Sequence, residues 1–102
     1  MRVRVLPSAL RDLDIGYEFY ERQELGAGDY FIDSISSDIG SLRIFAGIHR
    51  KRGDYFRFSS KRFPYWIYYG VSGDTAYVAA VLDSRQNPVR IRDREKDLGK
   101  RE

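Results

Sequence analysis

Between Lys61 and Pro88 the chain reads KRFPYWIYYGVSGDTAYVAAVLDSRQNP. Two runs, Tyr65 to Val71 and Thr75 to Leu82, alternate apolar residues with period two and are rich in aromatic and β-branched side chains. Ser72-Gly73-Asp74 supplies turn chemistry between them, so the stretch reads as a β-hairpin. An isolated hairpin is marginal in water, and the rest of the chain must provide further strands and a cover for one face.

The remaining segments fit that demand. Arg2 to Leu6 alternates as a short strand and Pro7 stops it. Ser8 is placed to cap a helix running to about Glu24, with Leu10, Leu13, Tyr17 and Tyr20 at spacings of three and four on one face and acids on the other. Gly26 and Gly28 then break the pattern. A phosphate loop is disfavoured there, because acids flank the glycines and no basic residue follows. A second helix is expected from about Asp29 to Phe45, with Phe31, Ile35, Ile39 and Leu42 facing one way and Gly40 as its weak point. Gly47 to Gly53, GIHRKRG, reads as a basic loop. Asp54 to Ser60 reads as a strand whose Phe56 and Phe58 face the helices while Tyr55, Arg57 and Ser59 face away. The expectation is one small α+β domain in the order β-α-α-β-β-β, a helical hairpin on one face of a largely antiparallel four-stranded sheet. Residues 89–102 form a charged tail, either a short helix or frayed.

Charge is distributed unevenly. The net charge of the 102 residues is only +3. From Asp12 to Asp38, however, eight acids stand against Arg22 alone, and from Arg43 to Arg62 seven cations stand against Asp54 alone. Opposed fields of this kind concern partners rather than fold. At this length about 65% of the unfolded chain's surface is buried on folding, enough for one core. With no cysteine, the composition suits a reducing compartment. No apolar run approaches the roughly 20 residues of a membrane span, and Met1 to Val5 alternates rather than forming a signal peptide. The expected location is the cytoplasm. One histidine and no cysteine do not make a typical transition-metal site, and neither a metal nor a cofactor is expected.

Several stretches carry a resemblance. Leu6-Pro7-Ser8-Ala9-Leu10-Arg11-Asp12-Leu13 leads from strand to helix, and Phe19-Tyr20-Glu21 precedes a glycine break. Lys61-Arg62-Phe63-Pro64-Tyr65-Trp66-Ile67-Tyr68-Tyr69 is followed by Val81-Leu82-Asp83-Ser84-Arg85-Gln86-Asn87-Pro88. Together they resemble toxins of the RelE/ParE superfamily, the toxic partners in bacterial type II toxin-antitoxin pairs. The resemblance implies a toxin domain over residues 1–88, a cognate antitoxin, and a plasmid-stabilisation-like role. Members of the ParE type are associated with poisoning DNA gyrase, and members of the RelE type cut messenger RNA on the ribosome without metal.

The residues lean toward the first. Arg57 and Arg85 fall where the ribonucleases have basic side chains, but Trp66 stands where many have arginine and Ile91 near an expected tyrosine. Phosphodiester cleavage needs a base for the hydroxyl proton and groups to stabilise the added charge. His49, the only histidine, lies in the basic loop. If RNA is cut, Arg57, Lys61, Arg62 and Arg85 are the residues expected to hold the phosphate; their plainer reading is surface cations, with Arg85 a partner of Asp83. An antitoxin or target would meet Arg50, Lys51, Arg52, Arg57, Lys61, Arg62 and Arg85. The preferred reading is a target-inhibiting toxin. A ribosome-dependent endoribonuclease and a non-toxic antitoxin-binding member are the alternatives.

Overall fold

The computed structural model describes residues 1–99. Its elements are β1 (Arg2–Val5), α1 (Pro7–Gln23), α2 (Ala27–Gly40), α3 (Leu42–Phe45), β2 (Lys51–Arg52), β3 (Tyr55–Ser59), β4 (Tyr65–Ser72), β5 (Thr75–Asp83) and α4 (Pro88–Gly99). The strands form one sheet in the order β1-β5-β4-β3-β2, antiparallel except for the parallel pair β1 and β5. The expected α+β class and helical hairpin are present, but the sheet has five strands rather than four. The fifth is Lys51–Arg52, inside the stretch read as a basic loop, where two residues pair with Phe56 and Tyr55. A two-residue strand is too short for alternation to reveal.

The hairpin at the centre is as expected. Gly73 alone carries a positive φ in the two-residue connection between Ser72 and Thr75, the sign pattern of a type II′ turn. Tyr65, Ile67 and Tyr69 on β4, with Ala76, Val78 and Val81 on β5, meet Ala9, Leu13, Phe31, Ile35, Ile39 and Leu42 of the helices. Phe56 and Phe58 pack against the same core.

Other boundaries differ from expectation for physical reasons. Pro7 does not merely stop the strand; it occupies the first helical turn, where its missing N–H costs nothing, and Leu6 rather than Ser8 is the cap residue. Ser8 is buried and donates to the Ala79 carbonyl at 2.7 Å. The buried face of α1 is Ser8, Ala9, Asp12, Leu13 and Gly16, while Leu10, expected inside, is 49% exposed. This face is set by the edge of β5. Strand β1 covers that edge only as far as Val78, and beyond it Ser8 serves Ala79 while the Asp12 carboxylate accepts from the Val81 N–H at 2.9 Å. Polar side chains one turn apart thus replace a missing strand.

The second helix is two. It breaks at Ser41, after Gly40, and Ser41 Oγ donates to the Asp38 carbonyl at 2.6 Å. Between the helices, Glu21 accepts from the N–H groups of Gly26 and Gly28 at 2.9 to 3.1 Å. The chain's own carboxylate therefore occupies the helix start where a phosphate loop would need open amides.

After β5 the chain forms α4. Asn87 Oδ1 accepts from the Val89 N–H at 2.8 Å, and Pro88 follows as first helical residue. The helix lies on the sheet face opposite α1 and α2, with Leu98 buried among Tyr68, Ala79, Ala80 and Leu82. Both faces of the sheet are covered.

Candidate cationic interface

The face that β3 and β4 turn away from the helical hairpin carries Arg57 and Trp66. The Arg57 guanidinium lies 3.9 Å from the Trp66 ring centroid, a cation–π stack, and its Nη1 is 3.5 Å from the Glu95 carboxylate of α4. Glu95 Oε2 also accepts from Arg52 Nε at 3.2 Å and from the Tyr68 hydroxyl at 2.6 Å. Three donors from β2, β3 and β4 therefore converge on one oxygen of α4. Burial opposes ionisation of Glu95, yet the hydrogen bonds from Tyr68 and Arg52 outweigh it and hold the carboxyl below its ordinary value. Burial, and then donation to Glu95, push the Tyr68 hydroxyl up to about 12.

Beside this cluster a groove of about 470 Å³ is lined by His49, Arg50, Lys51, Arg52, Arg57, Phe58, Ser59 and Trp66. Arg50 and Lys51 enter no ion pair among the described residues, and Arg52 and Arg57 share Glu95. His49 is fixed rather than free. Its ring stacks on Phe58 with centroids 4.3 Å apart, and its Nδ1 meets the Tyr69 hydroxyl, which accepts from the Gly47 N–H at 2.9 Å. Burial holds the imidazole below its ordinary pKa. The direction of the bond between Nδ1 and the hydroxyl follows the imidazole tautomer. A second groove, of about 320 Å³, runs between the turn after β2 and α4; it adds Arg92 and Lys96 to Arg52.

Of the seven cations expected to meet a partner, four, Arg50, Lys51, Arg52 and Arg57, line the first groove. Lys61 and Arg62 lie apart from it, exposed in the connection between β3 and β4. That connection is held by buried Asp38, which accepts from Ser60 Oγ at 2.6 Å and the Lys61 N–H at 3.3 Å. Arg85 follows β5 and forms an ion pair with Asp83 at 2.9 Å while donating to the Tyr20 hydroxyl of α1. Burial opposes ionisation of Asp83, but its bonds from Arg85 prevail and hold it below the ordinary value. Arg57, Lys61, Arg62 and Arg85 are thus distributed over three places.

The segment expected as either a short helix or a frayed tail is the helix α4 as far as Gly99, and residues 100–102 lie outside the described residues. Arg94 of this helix reaches Asp12 in two parallel contacts of 2.8 Å, so that Asp12, read as a surface acid, is a buried anchor. The hydrogen bonds with Asp12 raise the Arg94 pKa. Among the described residues there is no cluster of potential metal ligands and no helix long and apolar enough to cross a membrane.

Three comparisons bear on this arrangement. A family model described as the ParE toxin of a type II toxin-antitoxin system, parDE, matches residues 3–88. A solved structure described as a chromosomal ParDE TA system from P. aeruginosa superposes with a TM-score of 0.68 at 17% identity. The match covers 81% of this chain and 95% of that one, and shows a shared fold. No curated protein matches the sequence.

Proposed function

The chain belongs to the ParE toxin family of type II toxin-antitoxin systems, and from that premise we propose that it arrests bacterial growth by binding and inhibiting DNA gyrase. In this reading it acts in the cytoplasm, is neutralised by a cognate antitoxin, and serves plasmid stabilisation or its chromosomal equivalent. The observation that carries a binding mode is the cationic groove lined by Arg50, Lys51, Arg52 and Arg57, of which only Arg52 and Arg57 are paired, both with Glu95. A cluster so poorly neutralised within the fold favours an anionic partner and accelerates its encounter. An acidic antitoxin segment meets that requirement, with Lys61, Arg62 and Arg85 as flanking contacts.

Messenger RNA cleavage receives less support. Arg57 is engaged by Trp66 and Glu95, and Arg85 by Asp83 and Tyr20. They sit against helices on different sides of the sheet. His49 Nδ1 is taken up in a hydrogen bond with the Tyr69 hydroxyl, and Tyr68 stays protonated and donates a hydrogen bond to Glu95, so neither is poised as the base that cleavage requires.

A supercoiling assay with purified gyrase tests the proposal. The chain is expected to block supercoiling, and the antitoxin encoded beside it to restore activity. Undisturbed supercoiling at concentrations that arrest growth would remove gyrase as the target.

A further inference from the structure

We propose that the cleft where α1 and α4 meet across the uncovered edge of β5 binds a small monocarboxylate carrying a compact aromatic or branched aliphatic group. This cleft shares no lining residue with the cationic groove and is independent of the toxin reading.

Tyr65 sits at its base. The residue is only 6% exposed, yet among the described residues its hydroxyl makes no hydrogen bond. A buried polar group left without a partner is costly unless something reaches it from the open side. Gly16 provides that opening: a Cβ there would lie 3.4 Å from the hydroxyl, and the glycine leaves it uncovered. Burial, with Tyr20 and Asp83 nearby, pushes the Tyr65 pKa well above its ordinary value, so the group stays protonated and can donate. Charge decides what it donates to. Two carboxylates line the cleft and both are engaged, Asp12 by Arg94 in two contacts of 2.8 Å and Asp83 by Arg85 at 2.9 Å. Arg90, on the same lining, enters no ion pair among the described residues. Gln86 adds an amide. The groups left over are donors with one uncompensated cation, which suits a carboxylate and disfavours an ammonium. Ile15 and Phe19, both exposed on α1, form the apolar wall that a ring or branched chain would cover. A volume of about 320 Å³ lies at the small end of ligand sites.

The experiment titrates phenylpropionate into the isotope-labelled full chain at neutral pH and follows the amide chemical shifts. Saturable shifts are expected at Gly16, Val81 and Gln86, with a dissociation constant on the order of 1 mM, ordinary for a ligand of this size. Tyr65→Phe keeps the ring and removes only the hydroxyl, and Arg90→Gln removes the free cation. Each should weaken binding about tenfold, the loss expected for a hydrogen bond to a charged partner. Phenylpropanol, which lacks the charge, should also bind about tenfold more weakly, and phenethylammonium should not bind measurably. Arg90 is exposed, so Arg90→Gln reads the site even if Tyr65→Phe fails to fold. Absence of saturable shifts at the cleft would overturn the proposal, as would shifts confined to Arg50, Lys51 and Arg52. Equal affinity for the alcohol or the amine, or unchanged affinity in either folded variant, would overturn it as well.

Discussion

Arg94 of the last helix and Asp12 of the first form a two-pronged ion pair, 2.8 Å at each prong, that ties α4 to the edge of the sheet. The Asp12 carboxylate simultaneously accepts from Val81, so one buried side chain closes the β5 edge and anchors the helix on the opposite face.

Asp12→Ala should therefore be costly. It strands the Val81 N–H and leaves Arg94 without its partner. Breaking a buried pair costs about 3 to 5 kcal/mol, and because Arg94 is partly exposed about 2 to 3 kcal/mol is expected. Urea denaturation measures it. A loss within about 0.5 kcal/mol, the scatter of ordinary surface substitutions, would mean that the pair contributes little.

Two glycines separate helix propensity from packing. A Cβ on Gly16 would lie 2.5 Å from the ring of fully buried Phe31, whereas one on Gly40 meets nothing within 4 Å. Gly16→Ala should destabilise by about 1 to 3 kcal/mol despite the better helix former. Gly40→Ala should stabilise by about 0.5 to 1 kcal/mol. Thermal unfolding of both variants checks the opposite signs.

Acidification should loosen α4. The Glu95 carboxyl is held below its ordinary value of 4.5 in the folded chain, so the unfolded chain binds its proton more readily. Stability from this group is complete above the unfolded value and is lost as pH falls through the lower folded value. Asp83 behaves in the same sense. Glu95→Gln should flatten the part of the pH profile that belongs to α4, read as amide exchange of Tyr68 and the helix. An unchanged profile would assign the acid sensitivity elsewhere.

Charge reversal tests the antitoxin surface. Lys51→Glu with Lys61→Glu changes two exposed cations and should weaken the antitoxin complex at least about tenfold at low salt, chiefly through slower association. The difference should shrink as salt screens the pair. Equal affinity of variant and parent at low salt would place the contact elsewhere.

Much of the fold is written in local periodicity. Alternation marks β3, whose one face is apolar, while β4 and β5, buried on both faces, are marked by aromatic and β-branched runs around a glycine turn, and spacings of three and four mark α1 and α2. What periodicity could not show was held by polar contacts between distant residues. Asp12 looks like the other acids of α1 until the uncovered edge of β5 is in place. Segment 89–102 has too few apolar residues to advertise a docked helix; α4, which ends at Gly99, is seated by Leu98 with Arg94 and Glu95, whose partners lie up to 82 positions away. The basic loop was legible as cationic. Its pairing as β2 was not, and neither was the enclosure of Arg57 between an indole and a carboxylate.

A gyrase-directed toxin stops DNA synthesis first, and pulse-labelling of DNA, RNA and protein synthesis within minutes of inducing this chain alone in a bacterial host tests that order. Early loss of DNA synthesis, with protein synthesis still running, is the predicted result. Early loss of protein synthesis with DNA synthesis intact would contradict it and favour ribosome-dependent cleavage, and normal growth with all three continuing would leave a non-toxic antitoxin-binding protein.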